Sequence, residues 1–291
     1  VQEQKPYRSF VLSRKEVFQP HLPVRRIIDR AVKWDLGVNF SLNRSKVLVL
    51  SEDKDIFGGE LDNTILKDQL NLMRVGEPMY VFYGYVEDGY DENGHIVYKN
   101  MDDDPAITAA DKTIIGDPNP DFLVNLTTAV SYKGFTLSAF FQSSIGNDIY
   151  SLSMAAQAYD YGYNGNTLRE VYYNHWTPEN PTAKYPNLDQ TSYKMSDRFV
   201  YDGSFVRLKN LELAYDVPCA RSKFIKRARV YVSAQNLFTI TSYPFWDPDI
   251  NANGGGSSMI QGVDSYCYPS ARTYTIGCRL KIGRASCRER V

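Results

Sequence analysis

The chain has 291 residues, of which 43 % are hydrophobic, with a formal net charge of −1 and a mean hydropathy of −0.40. It contains no run of about 18 apolar residues, which excludes a membrane-spanning helix. The nearly neutral charge leaves no basic surface for binding nucleic acid. Tyrosine is common, with 22 residues, and this favours either membrane-interface girdles or surfaces that hold flat ligands.

The first clear strand pattern begins at Val32. Over residues 32–43 apolar side chains alternate with polar ones, so one face is apolar while the other carries Lys33 and Asp35. A buried sheet would not hide unpaired charges, whereas the water-filled or plugged lumen of a membrane barrel accepts them. We expect this strand to continue to Leu50, and the alternative is a hairpin turn at residues 43–46.

Residues 51–119 lack this alternation. An aromatic run at residues 80–85 is followed by the turn-forming sequence Asp91-Glu92-Asn93-Gly94, which lies between two short β-prone runs. The sequence therefore predicts one long loop that carries a small hairpin of its own.

The clearest hairpin follows this loop. Two alternating runs, residues 124–132 and 135–141, flank the pair Lys133-Gly134. Only a tight turn fits a two-residue gap, and Gly134 can supply the positive φ that it needs. The runs are nearly as long as a strand that crosses an outer membrane, which needs about nine to eleven residues. They are longer than an average strand of a soluble protein, which has about five or six residues.

The rest of the chain alternates long and short connections. Strand patterns recur at residues 204–217, 228–240 and 272–281. Residues 146–203 and 241–269 form long loops, and the first of them has a short helix near residues 167–175. If the C-terminus is periplasmic, every long connection lies outside the cell and every short one lies in the periplasm, as in bacterial outer-membrane barrels.

These patterns predict an all-β fold, an antiparallel transmembrane β-barrel with long extracellular loops. A barrel in lipid must close, because an open edge leaves backbone groups unpaired in hydrocarbon. The roughly six strands expected here cannot close around a face that carries charged side chains. Even a closed barrel of about eight strands has an interior just wide enough to be filled by side chains. We therefore expect residues 1–282 to be the C-terminal part of a larger barrel.

The last nine residues, 283–291, need a separate interpretation. After Ile282 the alternation stops and the sequence becomes rich in arginine. It looks like the translation of a common sequencing adaptor, so we expect this tail to be non-native. The alternative is a genuine basic tail.

Several segments together resemble SusC/RagA-type TonB-linked outer-membrane transporters. In chain order the matching pieces are Val75-Gly-Glu-Pro, Phe82-Tyr-Gly-Tyr-Val86, Thr113-Ile-Ile-Gly-Asp-Pro-Asn-Pro-Asp-Phe122, Tyr132-Lys-Gly-Phe135, Gly146-Asn-Asp-Ile-Tyr150, Trp176-Thr-Pro-Glu-Asn-Pro181, Ser196-Asp-Arg-Phe-Val200, Asp202-Gly-Ser-Phe-Val-Arg-Leu-Lys-Asn210, Val230-Tyr-Val-Ser-Ala-Gln-Asn-Leu-Phe-Thr239, Tyr268-Pro and Arg272-Thr-Tyr-Thr275. The ordered set covers most of residues 31–282, which makes the resemblance specific.

The resemblance implies a plugged barrel of about 22 strands, with the plug and the earlier strands upstream of Val1. It also implies location in the outer membrane of a Gram-negative bacterium, contact with its lipid, and partnership with TonB and a SusD-like surface lipoprotein. The implied function is import of oligosaccharides, or sometimes peptides, and not catalysis. TonB would act through the region that is missing here.

Two alternative functions from other classes stay open. A passive outer-membrane porin would have no plug domain upstream. A soluble carbohydrate-binding β protein would bury its apolar strand faces against a second sheet.

An acidic stretch at residues 100–111 has the spacing of a calcium-binding loop. Its oxygen-bearing side chains at positions one, three, five, nine and twelve are those of Asn100, Asp102, Asp104, Thr108 and Asp111. The corresponding stretch of the resembled family is often Asp-x-Asp-Gly-Asp-Gly. Here Asn100 is neutral and Pro105 stands where a glycine would make the sharp turn, so the alternative to a Ca²⁺ site is a solvated acidic turn.

Aromatic residues in the last long loop are candidates for binding substrate by stacking. These are Tyr243, Phe245, Trp246, Tyr266 and Tyr268. A second tyrosine cluster occurs at residues 159–163. For both groups the alternative is packing within the loops or at the membrane interface.

Catalytic and metal motifs are missing from the sequence. The three histidines lack HExxH spacing, there is no G-x-S-x-G, and the glycines at residues 254–256 lack the lysine of a phosphate loop. The four cysteines show no metal-site spacing. Asp247 and Asp249 flank a proline, a pattern typical of turns. The sequence therefore predicts no enzyme and no certain cofactor.

Overall fold

The structure is a computed structural model that describes residues 11–19, 21–22, 27–28, 32–51, 54–62, 66–159, 166–219, 225–250 and 259–282. None of the helices in these ranges is long and apolar enough to cross a membrane. The tail predicted to be non-native, residues 283–291, lies outside the described residues.

The chain contains both short and long strands. The first twelve are β1 (Val11–Phe18), β2 (His21–Leu22), β3 (Ile27–Ile28), β4 (Val32–Leu50), β5 (Ile56–Phe57), β6 (Glu60–Asp62), β7 (Lys67–Gln69), β8 (Asn71–Met73), β9 (Val81–Gly84), β10 (Glu87–Tyr90), β11 (Ile96–Tyr98) and β12 (Thr113–Gly116). The later elements are β13 (Phe122–Tyr132), β14 (Phe135–Ile145), β15 (Asp148–Ser151), helices α1 (Leu152–Tyr159) and α2 (Arg169–Tyr173), β16 (Val200–Asp202), β17 (Phe205–Val217), β18 (Ile225–Gln235), β19 (Thr239–Thr241), β20 (Val263–Asp264) and β21 (Thr273–Ile282).

The longest strands form one antiparallel sheet, which we call the wall sheet. Its order is β1-β4-β13-β14-β17-β18-β21, with β2 and β3 added against β4 and β19 added against β17. Among the described residues β1 and β21 have no further partner strand, so the wall sheet is open at both edges. The three long connections, residues 51–121, 146–204 and 236–272, all leave it at the same end.

The predicted strands and turn are largely confirmed. Tyr132 pairs with Phe135, and Lys133 and Gly134 between them have φ of 45° and 89°, as a two-residue hairpin turn requires. β4 is continuous from Val32 to Leu50, so the alternative turn at residues 43–46 is wrong. The strand predicted at residues 228–240 ends at Gln235, because Asn236 takes a left-handed φ of 51°.

The two faces of the wall sheet carry different side chains in register across six strands. One cross-strand row reads Trp34, Val130, Leu137, Leu213, Val232 and Ile276. These side chains are exposed, from 38 % for Trp34 to 80 % for Ile276. The neighbouring row, on the opposite face, reads Asp35, Ala129, Ser138, Glu212, Ser233 and Thr275. The predicted alternation of an apolar and a polar face is therefore present in three dimensions.

Charged side chains pair with one another on the polar face. Arg229 contacts Glu212 at 3.4 Å, and Arg227 contacts Asp216 at 2.9 Å. Arg279 lies 3.9 Å from Glu212. These pairs join β17, β18 and β21 across the face that the sequence assigns to the lumen.

The three long connections fold together into what we call the loop assembly, the described residues of 51–121, 146–204 and 236–272. Its core contains buried side chains from each connection, such as Phe82 from the first, Tyr150 and Phe199 from the second, and Val263 from the third. β15 pairs in parallel with β20, which ties the second connection to the third. A four-stranded sheet, in the order β12-β9-β8-β5, lies within the first connection.

The sequence predicted part of the loop assembly. β10 and β11 form the expected small hairpin, and the amide of Gly94 donates to the carbonyl of Asp91 at 3.0 Å in its turn. α2 is the short helix expected near residues 167–175. Helix α1 and the four-stranded sheet were not predicted. Seven of the eight residues of α1 are buried, so it lacks the polar face that reveals an amphipathic helix.

Candidate functional site

Arg207 anchors the third long connection to the wall sheet. It lies just before a register shift in β17, and it pairs with Gln142 of β14 and Thr239 of β19. Its side chain is only 1 % exposed. The Arg207 Nε donates to Thr239 Oγ1 at 2.9 Å, and Nη1 donates to Ser270 Oγ at 3.0 Å.

Two aspartates balance the charge of this buried arginine. Arg207 Nη2 donates to Asp247 Oδ1, and Nη1 lies 3.3 Å from Asp249 Oδ2. Asp247 also accepts the amides of Asp249 and Ser270, each at 2.9 Å. Burial opposes ionisation of Asp247, but the two amides and the Arg207 guanidinium outweigh it and hold its pKa below the ordinary value. A buried, hydrogen-bonded ion pair therefore holds the third long connection against β17.

A second polar cluster ties the same loop to β15 and α1. The Tyr243 hydroxyl contacts Asp264 Oδ2 at 2.6 Å and Ser151 Oγ at 2.8 Å. Ser153 Oγ donates to the Asp264 carbonyl at 3.1 Å. Burial, followed by the contact with Asp264, raises the pKa of Tyr243 above its ordinary value. Tyr243 is thus a buried packing residue of the loop assembly.

The other aromatic residues predicted to bind substrate differ in exposure. Phe245 packs against the core of the loop assembly and stacks on Trp246, with ring centroids 4.8 Å apart and planes at 16°. Trp246 remains 55 % exposed, Tyr266 is exposed, and Tyr268 is 89 % exposed. Trp246, Tyr266 and Tyr268 are therefore exposed in part, and substrate binding stays a prediction.

A pocket of about 350 Å³ lies beside Trp246. Its lining combines the buried ion pair with residues of the third long connection. The lining residues are Arg207, Asn236, Phe238, Thr239, Thr241, Trp246, Asp247, Pro248, Pro269, Ser270 and Arg272. Because Thr239 accepts a hydrogen bond from Arg207, the pocket lies at the same end of the wall sheet as the three long connections. We call it the Trp246 pocket.

The stretch predicted to bind calcium forms a compact turn held by its own side chains. The oxygens Oδ1 of Asn100, Asp102 and Asp104 each accept the amide two residues later, at 3.1, 2.9 and 3.1 Å. These are the hydrogen bonds of consecutive Asx turns. These hydrogen bonds are typical of a solvated acidic turn, which was the alternative to a metal site.

The stretch ends in a capping box at the start of a short 3-10 helix, Ala109–Asp111. Asp111 accepts the amides of Met101 and Thr108, each at 2.7 Å, and Thr108 Oγ1 accepts the amide of Ala110. These amides hold the pKa of Asp111 below its ordinary value. In the described ranges no group of three or more His, Cys, Asp or Glu side chains is arranged to hold a metal ion. The residues do not fit a Ca²⁺ cage in this conformation, and the calcium site stays a prediction.

The second tyrosine cluster is only partly described. Tyr159 is buried and stacks on Tyr193 with ring centroids 3.8 Å apart. Residues 160–165, which include Tyr161 and Tyr163, lie outside the described residues. Tyr159 therefore packs within the loop assembly.

The buried pair of Arg207 and Asp247 was missed by the sequence analysis. The turn predicted around Asp247 and Asp249 is present, since the Asp249 amide donates to Asp247. A signal for the arginine existed, because Arg207 interrupts an apolar segment, Phe205 to Leu208, at the start of a strand. Its partner lies 40 residues further along the chain, so only the folded structure identifies it.

Comparison with known proteins gives consistent relatives, although no family model matches the chain. It is 32 % identical over 278 residues to TonB-dependent receptor P3 of Formosa agariphila, covering 88 % of this chain and 27 % of the relative. It is 27 % identical over 265 residues to TonB-dependent receptor SusC of Bacteroides thetaiotaomicron, covering 88 % of this chain and 25 % of the relative.

Solved structures share the fold. The RagAB peptide transporter matches with a TM-score of 0.70 and 24 % identity, covering 91 % of this chain and 28 % of that one. The RagAB peptide importer in its closed-closed state matches with a TM-score of 0.71, also at 24 % identity, covering 94 % and 29 %. The predicted fold class is confirmed, and the wall sheet is an open segment of an antiparallel transmembrane β-barrel.

The chain spans only about a quarter of the length of the curated relatives, between 25 % and 28 %. The similarity nevertheless covers 88 % of its own residues. The chain belongs to the SusC/RagA family of TonB-dependent receptors.

Proposed function

We propose that the full-length protein imports a nutrient across the outer membrane of a Gram-negative bacterium with energy from TonB. Family membership supports this proposal, because the curated relatives are named as TonB-dependent receptors. Residues 1–282 would be the C-terminal part of its barrel, and residues 283–291 a non-native tail. TonB would contact the protein through a region outside this chain.

The observation that carries the proposal is the difference between the two faces of the wall sheet. The apolar row from Trp34 to Ile276 is exposed, as it would be in contact with lipid. The opposite face carries paired charges such as Glu212 and Arg229, which a polar lumen accommodates. In the described part of the chain no second sheet covers the apolar face. This argues against the alternative of a soluble carbohydrate-binding protein.

We propose an oligosaccharide as the substrate and a SusD-like lipoprotein as the surface partner. The exposed aromatic residues Trp246, Tyr266 and Tyr268 support a saccharide, since flat rings pack well on sugar faces. RagAB, whose fold this chain shares, is named as a peptide transporter, so a peptide is the alternative substrate. The relatives are named as receptors and transporters, which supports a role without catalysis.

Uptake measured with and without TonB tests this function. Cells that express the full-length protein would be given fluorescently labelled oligosaccharides or peptides of matched length, and a strain without TonB would be the control. We expect accumulation only when both the protein and TonB are present. Uptake that persists without TonB would favour the passive porin. Co-purification with a lipoprotein encoded beside the receptor would test the partner.

A further inference from the structure

We infer that the Trp246 pocket binds an acidic sugar residue of the substrate, through stacking on Trp246 and ion pairing with Arg272. This inference rests on the proposed function, because it names the class of oligosaccharide that is imported. Three independent features of the pocket support it: an exposed aromatic surface, a cation without a partner among the described residues and a buried acceptor without a donor among them.

The first feature is the ring of Trp246. One face of the indole stacks on Phe245 at 4.8 Å, which fixes its orientation, while more than half of the side chain stays exposed. An aromatic ring held rigidly at the wall of a concave site loses little conformational entropy when a ligand stacks on it. The flat apolar face of a pyranose ring is a suitable ligand for such a surface.

The second feature is the charge of the pocket. Arg207 is already paired with Asp247 and Asp249, and Lys209 also lies 3.7 Å from Asp249. Arg272, by contrast, is exposed and makes no ion pair or hydrogen bond with any described residue. A guanidinium binds a carboxylate or a sulfate through two parallel hydrogen bonds. The cation available to a ligand is therefore Arg272, and its preferred ligand is anionic.

The third feature is the side-chain oxygen of Asn236. This Oδ1 is buried and accepts no hydrogen bond, which is unfavourable unless a donor compensates. Its orientation is fixed, because Nδ2 donates to the Ala271 carbonyl at 3.0 Å and a flipped amide would place two oxygens together. Asn236 therefore leaves an unsatisfied acceptor in the lining of the pocket, which a ligand hydroxyl would satisfy on displacing the side chains that now enclose it.

These features together favour an acidic saccharide over an acidic peptide. A uronic acid carries a stackable ring, hydroxyl donors and a carboxylate within one residue, so it can satisfy all three at once. A glutamate side chain has the carboxylate but neither the ring nor the hydroxyl. The pocket is too small for a folded partner, at about 350 Å³, but has room for one or two sugar residues.

Calorimetric titration of the detergent-purified full-length protein tests the inference. The probes are hexagalacturonate, neutral maltohexaose and hexaglutamate. The variants are Arg272→Gln and Trp246→Ala, with Arg169→Gln as a matched control, because Arg169 is an exposed arginine on α2 outside the pocket. We expect hexagalacturonate to bind at least about tenfold more tightly than maltohexaose, as one charge-assisted pair would provide.

The variants should separate the two contacts. Arg272→Gln should abolish the preference for the acidic sugar, Trp246→Ala should weaken both sugars, and Arg169→Gln should change neither. An unchanged preference in Arg272→Gln, or hexaglutamate binding as tightly as hexagalacturonate, would overturn the inference. If maltohexaose binds best and is imported with TonB, the inference fails while the proposed function stands. If no probe is imported with TonB and none binds, both fail.

Discussion

The wall sheet and the loop assembly use the same apolar residue types in opposite ways. In the loop assembly Phe82, Phe199 and Val263 are buried in a core like that of a soluble protein. In the wall sheet Ile276 and Leu213 point away from the chain and are exposed. The difference shows that the apolar side chains of the loop assembly leave water by packing against one another, whereas those of the wall sheet leave water only when the bilayer covers them.

This difference also separates the sources of stability in the two regions. Each fully buried aliphatic or aromatic side chain of the loop assembly contributes about 1.5–3 kcal/mol by leaving water. The apolar row of the wall sheet contributes by this mechanism only when lipid covers it. Substitutions of matched chemistry in the two regions should therefore have different effects.

The largest expected effect is that of Phe199→Ala. Phe199 is buried against the ring of Tyr159, with centroids 5.1 Å apart, so its loss leaves a cavity in the core. We expect destabilisation of the loop assembly by about 3–5 kcal/mol. Hydrogen exchange of the amides in residues 166–203 of the detergent-purified full-length protein would measure it.

Phe135→Ala is the matched substitution in the wall sheet. Phe135 is exposed on the apolar face and contacts Tyr215 at a centroid distance of 4.5 Å. Lipid can fill the space that the ring leaves, so we expect a loss of only about 0.5–1.5 kcal/mol from the aromatic pair. Equal losses at Phe199 and Phe135 would contradict the distinction between the two regions.

The next largest effect is expected from a charge on the apolar face. Leu137 lies in the middle of the exposed cross-strand row, between Val130 and Leu213. An arginine there would have to enter hydrocarbon, so Leu137→Arg should cost about 2–4 kcal/mol. The fraction of protein that is folded in the outer membrane, read from heat-modifiable migration in gel electrophoresis, would report the loss.

Thr127→Arg is the control for Leu137→Arg. Thr127 is exposed on the opposite face, opposite Gly37 and Phe140 in the register of its neighbours. An arginine there would enter a polar lumen, so assembly should stay close to that of the unchanged protein. Similar losses for both variants would mean that the faces are assigned wrongly.

The wall sheet could be predicted from sequence because its information is local. Alternation with a period of two decides the faces of β4, β13 and β21, and one glycine in a two-residue gap decides the hairpin at Gly134. The regular alternation of long and short connections then placed the three long ones at one end. None of these steps needs a contact between distant parts of the chain.

The loop assembly was less predictable because its structure depends on distant contacts. The pairing of β15 with β20 joins residues more than 100 positions apart. The roles of Tyr243 and Asp247 depend on Asp264 and Arg207, which no spacing rule connects to them. Aromatic composition suggested ligand surfaces but could not separate the buried Tyr243 from the exposed Tyr268.

Ion pairs repeat the contrast between the two regions. Arg227 and Asp216 pair on the polar face of the wall sheet, where the arginine side chain is largely exposed, and such pairs contribute little. Arg207 and Asp247 pair in a buried site, where removal of either partner leaves an uncompensated charge. A change in pH should therefore affect the anchor of the third long connection more than the wall sheet.

The smallest expected effect is an acid-induced loosening of this anchor. Because the pKa of Asp247 is lowered in the folded protein, its contribution to stability is complete above the ordinary aspartate value of about 3.9. The contribution is lost as the pH falls through the lower, folded value. We expect faster hydrogen exchange at residues 259–272 as the pH falls below about 4, after correction for the intrinsic pH dependence of exchange.

Asp247→Asn should exchange faster at neutral pH and lose this acid dependence, whereas Asp103→Asn, at an exposed aspartate, should keep the original profile. An unchanged acid dependence in Asp247→Asn would show that another group closes the loop onto β17.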